Sequence, residues 1–321
     1  MDWRQTTLDY RSGGNALGID RLAGSFRLLA VALCALAAFA PVAPASAEPV
    51  AAAHIDFGGL PRTYTLHVPP GEPNGLVLNL HAAGLTGVDQ ANLTHYNAIA
   101  DAHGFVVAYP DGIDFSWADG RGASVPDRQG IDDVGFLTAL VERLTADFGI
   151  DPGRVYATGL SAGAFMANRL ACDRADVFAA IAPVGGTLGA GVPCSPSRPV
   201  SVLATFGTAD PIVPFNGGPM VGRGGGSTIL PAQALVDMWR NLDGCDGPTE
   251  APLPNVGDGM PSFRANASCA DGTAVDFIRI DGGGHTWPGA PTVLSEQQVG
   301  RTTRAFDASV DSARFFASHG R

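Results

Sequence analysis

Ser161 sits at the centre of Gly159-Leu160-Ser161-Ala162-Gly163. A serine hydroxyl at its free pKa is a poor nucleophile, so it needs a base, and the base needs an acid to orient it. The residues before it, Arg154 to Thr158, are β-branched and aromatic and read as a strand. Those after it, Ala164 to Leu170, have helical spacing. G-x-S-x-G between strand and helix is a nucleophile elbow, a sharp turn that lifts the hydroxyl above a sheet and aims a helix N-terminus at it. In such a sheet the acid and then the histidine follow on loops after later strands. Asp210 fits the first place, in Gly207-Thr208-Ala209-Asp210-Pro211, and His285 the second, behind Gly282-Gly283-Gly284. Of seven histidines only His285 and His319 follow Asp210, and His319 lies near the C-terminus. Asp281 is too close in sequence to His285 to orient it and suits a turn.

An acyl-transfer site also needs two backbone N–H groups for the oxyanion. Ala162, after the nucleophile, would supply one. Ala83, in His81-Ala82-Ala83-Gly84 after the Leu76–Leu80 strand, is expected to supply the other. Trp117 and Trp287 lie on loops at the strand carboxyl ends and are candidates to line the substrate site, although each could instead anchor its own loop. The glycine-rich stretch 216–227 lacks the strand–GxxxxGK–helix pattern of a phosphate cradle and reads as a mobile rim loop.

These residues need a scaffold. Strand patterns at His54–Phe57 and Arg62–Val68 flank Gly58-Gly59 as a hairpin. Strands at Leu76–Leu80, Phe105–Tyr109, Val155–Thr158, Phe178–Val184, Pro199–Phe206 and Val275–Ile280 follow. Helices are expected at Tyr96–His103, from Asp132 or Asp133 to Asp147, after the elbow, at Ala232–Leu242 and at Ala308–Ser318. The alternation gives the fold class as α/β, a mostly parallel sheet with helices on both faces, an N-terminal antiparallel hairpin, and function at the strand carboxyl ends.

The first residues belong to another function. Arg21 to Arg27 is positively charged, Leu28 to Phe39 is apolar, and Ala45-Ser46-Ala47 is a cleavage signature. Residues 1–47 therefore read as a secretory signal with a long n-region, and 48–321 as one α/β domain exported to the outside. The apolar run is short for a membrane span, so no stable membrane anchor is expected. A net charge of −11 without a basic tract argues against a nucleic-acid partner. Cys172, Cys194, Cys245 and Cys269 remain after the leader, an even count in an exported chain. Cys172 ends the elbow helix, opposite the active site, and Cys194 precedes the Pro199 strand at the same end. Cys245 and Cys269 bear the same relation to the Ala232 helix and the Val275 strand. The expected bonds are Cys172–Cys194 and Cys245–Cys269, each closing about 22–24 residues and contributing roughly 3 kcal/mol in the chain-entropy model. No Cys/His spacing suggests a metal.

Leu80-His81, Gly159-Leu160-Ser161-Ala162-Gly163, Gly207-Thr208-Ala209-Asp210-Pro211 and Gly283-Gly284-His285-Thr286-Trp287-Pro288-Gly289 together resemble the polyhydroxybutyrate depolymerase-like esterases. That group is similar to carbohydrate esterase family 1, with its feruloyl and acetylxylan esterases. Asp132-Asp133-Val134-Gly135-Phe136 resembles that family's helix start. The resemblance implies an α/β-hydrolase fold, secretion, and serine ester hydrolysis without a cofactor. Ala82 stands where the family usually has glycine. No added polymer-binding module is visible, which favours feruloyl or acetyl esters of plant polysaccharide, or short hydroxyalkanoate oligomers, as substrates. Acyl transfer to a sugar or lipid acceptor would use the same triad. A secreted binding protein on an inactive hydrolase fold would not need it.

Overall fold

The computed structural model describes residues 51–290 and 295–321; the candidate leader and its cleavage site lie outside them. Twelve strands are present among the described residues: β1 (Ala51–Phe57), β2 (Leu60–His67), β3 (Gly75–Leu80), β4 (Phe105–Pro110), β5 (Val155–Leu160), β6 (Ala180–Val184), β7 (Ser201–Gly207), β8 (Gly218–Gly222), β9 (Gly225–Ile229), β10 (Thr249–Pro252), β11 (Ser262–Asn266) and β12 (Val275–Ile280). The helices are α1 (Gly87–Thr94), α2 (Tyr96–His103), α3 (Val125–Gln129), α4 (Asp133–Phe148), α5 (Ala162–Asp173), α6 (Ala232–Leu242), α7 (Glu296–Val299) and α8 (Ala308–Ser318).

Ten strands form one sheet in the order β1-β2-β4-β3-β5-β6-β7-β12-β11-β10. The six from β4 to β12 are parallel, and both edges are antiparallel. Strands β3, β4, β5, β6 and β7 are buried at every position, the mark of a sheet covered on both faces. One apolar cluster lies under α4, α5 and α6, with Leu76, Phe136, Met166 and Trp239 among its members. The other lies under α2 and α8, around Tyr96, Tyr156 and Phe316.

Local rules account for the elements that carry the site. Helix α4 opens where Asp132 Oδ1 accepts from the Gly135 N–H at 2.7 Å, and closes on Gly149 at φ 64°. Its buried stripe is Phe136, Leu137, Leu140, Val141 and Leu144. At its first turn Asp133 is buried against Arg62, 2.6 Å away, and also accepts from the Ala118 N–H at 2.7 Å. That ion pair ties β2 to α4 and holds the long loop after β4 in place. Burial pushes the Asp133 carboxyl above the ordinary aspartate range, against the attraction of Arg62.

Both disulfides join the expected partners, Cys172–Cys194 and Cys245–Cys269. They lie at the strand-start end of the sheet, away from the elbow. Other features depart from the sequence reading. Strands β10 and β11 extend the sheet beyond β12. Helix α1 follows the Ala83 loop, α3 interrupts the loop between β4 and α4, and α7 lies between the histidine loop and α8. The stretch expected to be a mobile rim loop contains a paired hairpin, with Gly218 opposite Ile229 and Gly222 opposite Gly225. Glycine-rich composition hides this hairpin, because only Met220 and Ile229 are buried on it.

Candidate active site

Ser161 stands between β5 and α5 with φ 57° and ψ −118°, outside the regions open to most L-residues. The strain is held by close packing. A Cβ on Gly163 would lie 2.1 Å from the Leu80 carbonyl oxygen, and one on Gly159 would lie 2.5 Å from it. The two motif glycines therefore let the end of β3 press against the elbow, which brings the loop after Leu80 beside Ser161. The Ser161 N–H donates to the Val184 carbonyl at 3.0 Å and ties the elbow to β6.

The structure brings Asp210 and His285 together although 75 residues separate them. His285 Nδ1 donates to Asp210 Oδ2 at 2.7 Å, and both side chains are almost fully buried. The other carboxylate oxygen of Asp210 accepts from the N–H groups of Ile212 and Val213, each at 2.7 Å. Three donors thus fix this carboxylate. With Nδ1 committed, Nε2 is the imidazole nitrogen left to exchange a proton. Ser161 and His285 line one cavity of about 340 Å3.

Ala162 and Ala83 line the same cavity. Ala162 opens α5, where the leading N–H groups have no acceptor inside the helix. The Ala83 loop is a tight turn: the Leu85 N–H donates to the Ala82 carbonyl at 3.1 Å and the Gly84 N–H to the Phe115 carbonyl at 2.8 Å. Ala82 has no positive φ, so alanine in the usual glycine place strains no backbone.

His81 braces this turn, a role that the sequence reading missed. Its Nδ1 donates to the Ala82 carbonyl, and its Nε2 accepts from the Gly112 N–H, both at 2.9 Å. Burial lowers its pKa and keeps the ring neutral, as that pairing requires. The signal was present in Leu80-His81: a histidine at the end of a buried strand must find partners for both ring nitrogens.

The structure corrects the placing of both tryptophans. Trp117 is wholly buried; its indole N–H donates to the His81 carbonyl at 2.9 Å and its ring packs on the imidazole, 4.8 Å between centroids. Trp287 is also buried, and its N–H donates to Ser309 Oγ at 3.0 Å, joining the histidine loop to α8. Neither lines the cavity. Each has a large apolar face and one donor, and both are satisfied inside the core.

The cavity is lined instead by residues that the sequence reading left out. Met220, Val221 and Arg223 of the β8–β9 hairpin form its roof, and Phe165 and Arg121 line it as well. Arg223 donates to the Asp114 carbonyl, and Arg128 donates to the Gly224 carbonyl at 2.7 Å, so the hairpin tip is pinned to the loop after β4. At its other end, an antiparallel bridge joins Ile229 to Gly189.

Residues 62–214 match the family model described as esterase PHB depolymerase. The chain is 31% identical to a Nocardia uniformis protein named "Putative esterase NocK", over 92% of this chain and 98% of that protein. The chain belongs to the PHB depolymerase esterase family. Feruloyl esterase C of Emericella nidulans is 29% identical, over 69% of this chain and 76% of that one. Among solved structures, acetyl xylan esterase from Aspergillus awamori superimposes with a TM-score of 0.51 at 18% identity, covering 74% of this chain and 94% of that chain. The architecture is accordingly an α/β-hydrolase fold, and the family is one of carboxylic ester hydrolases.

Proposed function

We propose that the protein is a secreted serine esterase that works through an acyl-enzyme on Ser161. The observation that carries this reading is the Asp210–His285 pair at 2.7 Å, whose histidine lines one cavity with a serine on a strained elbow. Ser161 Oγ attacks the ester carbonyl carbon while its proton passes to His285 Nε2. Asp210 holds the tautomer and stabilises the imidazolium. The oxyanion is bound by the N–H groups of Ala162 and Ala83. Collapse of the tetrahedral intermediate expels the alcohol, which takes the proton from His285. Water then attacks the acyl-enzyme with its proton going to His285, and the acid leaves with Ser161 restored. None of these steps draws on a cofactor or metal.

Export fits the two disulfides, which persist in oxidising surroundings. No helix among the described residues is long and apolar enough to cross a membrane. The substrates proposed are feruloyl or acetyl esters of plant polysaccharide, or short hydroxyalkanoate oligomers, in keeping with the relatives' names. Acid release from methyl ferulate, acetylated xylan and a soluble 3-hydroxybutyrate oligomer tests the reading. Ser161→Ala is expected to lower turnover of the preferred substrate by at least about 10³-fold. A variant that stays folded and keeps near-full activity would refute the nucleophile.

A further inference from the structure

Arg121 is a charged side chain in a cavity whose lining is otherwise largely apolar, and its side chain is only 8% exposed. Asp119, itself buried, takes two of its N–H groups in a bidentate pair: Nε donates to Oδ1 at 2.9 Å and Nη2 to Oδ2 at 2.6 Å. The guanidinium carbon lies over the Phe165 ring, 3.7 Å from its centroid. A guanidinium has five N–H hydrogens. Among the described residues the three left over meet only a weak acceptor, Met220 Sδ, at 3.6 Å from Nη1. Charged N–H groups that line a cavity with no oxygen partner beside them are open to an oxygen on a ligand.

Strand order says which half of an ester would complete it. The leaving alcohol must receive its proton from His285, whose loop follows β12, three strands to one side of β5. Arg121 and the Ala83 loop follow β4 and β3, on the other side of β5. The carbonyl oxygen takes the Ala83 and Ala162 N–H groups and the alcohol takes the His285 side, which leaves the acyl group the rest of the cavity, lined by Arg121, Phe165 and the hairpin. Plain acetyl or alkyl chains offer nothing there for the guanidinium to bind.

We propose that Arg121 is a specificity-determining residue that donates hydrogen bonds to an oxygen on the acyl group beyond the scissile carbonyl. The substrates are then esters of oxygen-bearing acids, either hydroxyaryl-propenoic or 3-acyloxyalkanoic. Asp119 is a positioning residue that holds the guanidinium on Phe165. This inference rests on the esterase reading above and narrows it.

Two matched pairs of methyl esters test it: 4-hydroxycinnamate against cinnamate, and 3-acetoxybutyrate against 3-methylhexanoate. Within each pair the alcohol and the acyl chain length are constant, and only acyl oxygens are removed or replaced by methylene. In the wild type, kcat/KM is expected to favour the oxygenated member of at least one pair by about ten- to a hundredfold, the worth of a hydrogen bond to a charged group. The pair that shows the preference identifies the acyl class. Arg121→Met is expected to bring that ratio close to unity, mainly through KM. Arg121→Lys, which keeps a charge beside Asp119 but loses the fork, is expected to fall between and covers the case in which the methionine variant does not fold. Ratios near unity for both pairs in the wild type would overturn the inference. So would equal losses on both members of the responding pair in the variants, which would make Arg121 structural only. The esterase reading is judged separately, by whether Ser161→Ala abolishes turnover of both members alike.

Discussion

The floor and the roof of the cavity are built on different principles. The floor is backbone against backbone: the end of β3, the elbow and the start of α5 meet at distances that allow no Cβ on Gly159 or Gly163. The roof is a two-stranded hairpin outside the main sheet, fastened by arginine side chains at its tip and a bridge at its base. Val221 on it is 81% exposed, whereas Leu80 and Leu160 of the floor are buried. A floor of this kind fixes reacting atoms within a fraction of an ångström. A roof of this kind shapes what is admitted and can change with little cost to the fold. The chemistry should therefore be sensitive to small changes below Ser161, and the selectivity to changes above it.

The largest effect is expected at the floor. Gly163→Ala would drive its methyl into the Leu80 carbonyl, and the strand end, the Ala83 loop and the elbow would have to part. Overpacking of this kind costs about 1–3 kcal/mol, and displacement of the proposed oxyanion donors is expected to lower kcat by about 10²-fold. Thermal melting and single-turnover kinetics would measure the two losses. Next comes Gly224→Ala at the hairpin turn, whose Cβ would fall 2.3 Å from the Ala123 carbonyl oxygen. It should lift the roof and raise KM about fivefold, with kcat and the melting temperature little changed. Arg223→Ala removes a half-exposed ion pair with Asp114 at 3.6 Å and should shift KM by about twofold or less. Roof variants that damaged kcat as severely as Gly163→Ala would erase the distinction.

The smallest effect on catalysis should lie away from both regions. Asp243, at the end of α6, is buried, and among the described residues its carboxylate accepts one hydrogen bond, a long one from the Val200 N–H at 3.3 Å. Burial pushes its pKa up to about 7. The folded state thus holds this proton more tightly than the unfolded chain does. The stabilisation is fully present below about pH 4 and fades as pH rises towards 7. Asp243→Asn should flatten that part of the stability–pH profile, read from denaturant midpoints, and leave selectivity between esters unchanged.

What could be read from the sequence follows the same division. The elbow was legible because close backbone contact leaves a mark in composition, a glycine on each side of the serine. Asp210 and His285 were legible because parallel strands deliver loops to one edge in chain order. The disulfides were legible because helices return the chain to the opposite edge. Arg121, Met220 and Arg223 were not, because their positions depend on side-chain contacts between distant loops that have no periodicity. Trp117 and Trp287 show the same difficulty from the other side: a loop position says nothing about which way a large ring turns. The antiparallel β10 and β11 escaped notice because β10 is exposed along its whole length and lacks the alternation that marks a half-buried strand.

Both crosslinks lie at the end of the sheet away from Ser161, so the two edges of the molecule answer to different environments. A reductant would act on one edge and, by the proposed mechanism, an ester on the other. Mild thiol treatment should shorten the working life of a sample without changing the rate of each molecule still folded. An activity trace would show this as a falling number of active centres at constant turnover, and an oxidising medium would act as a preservative.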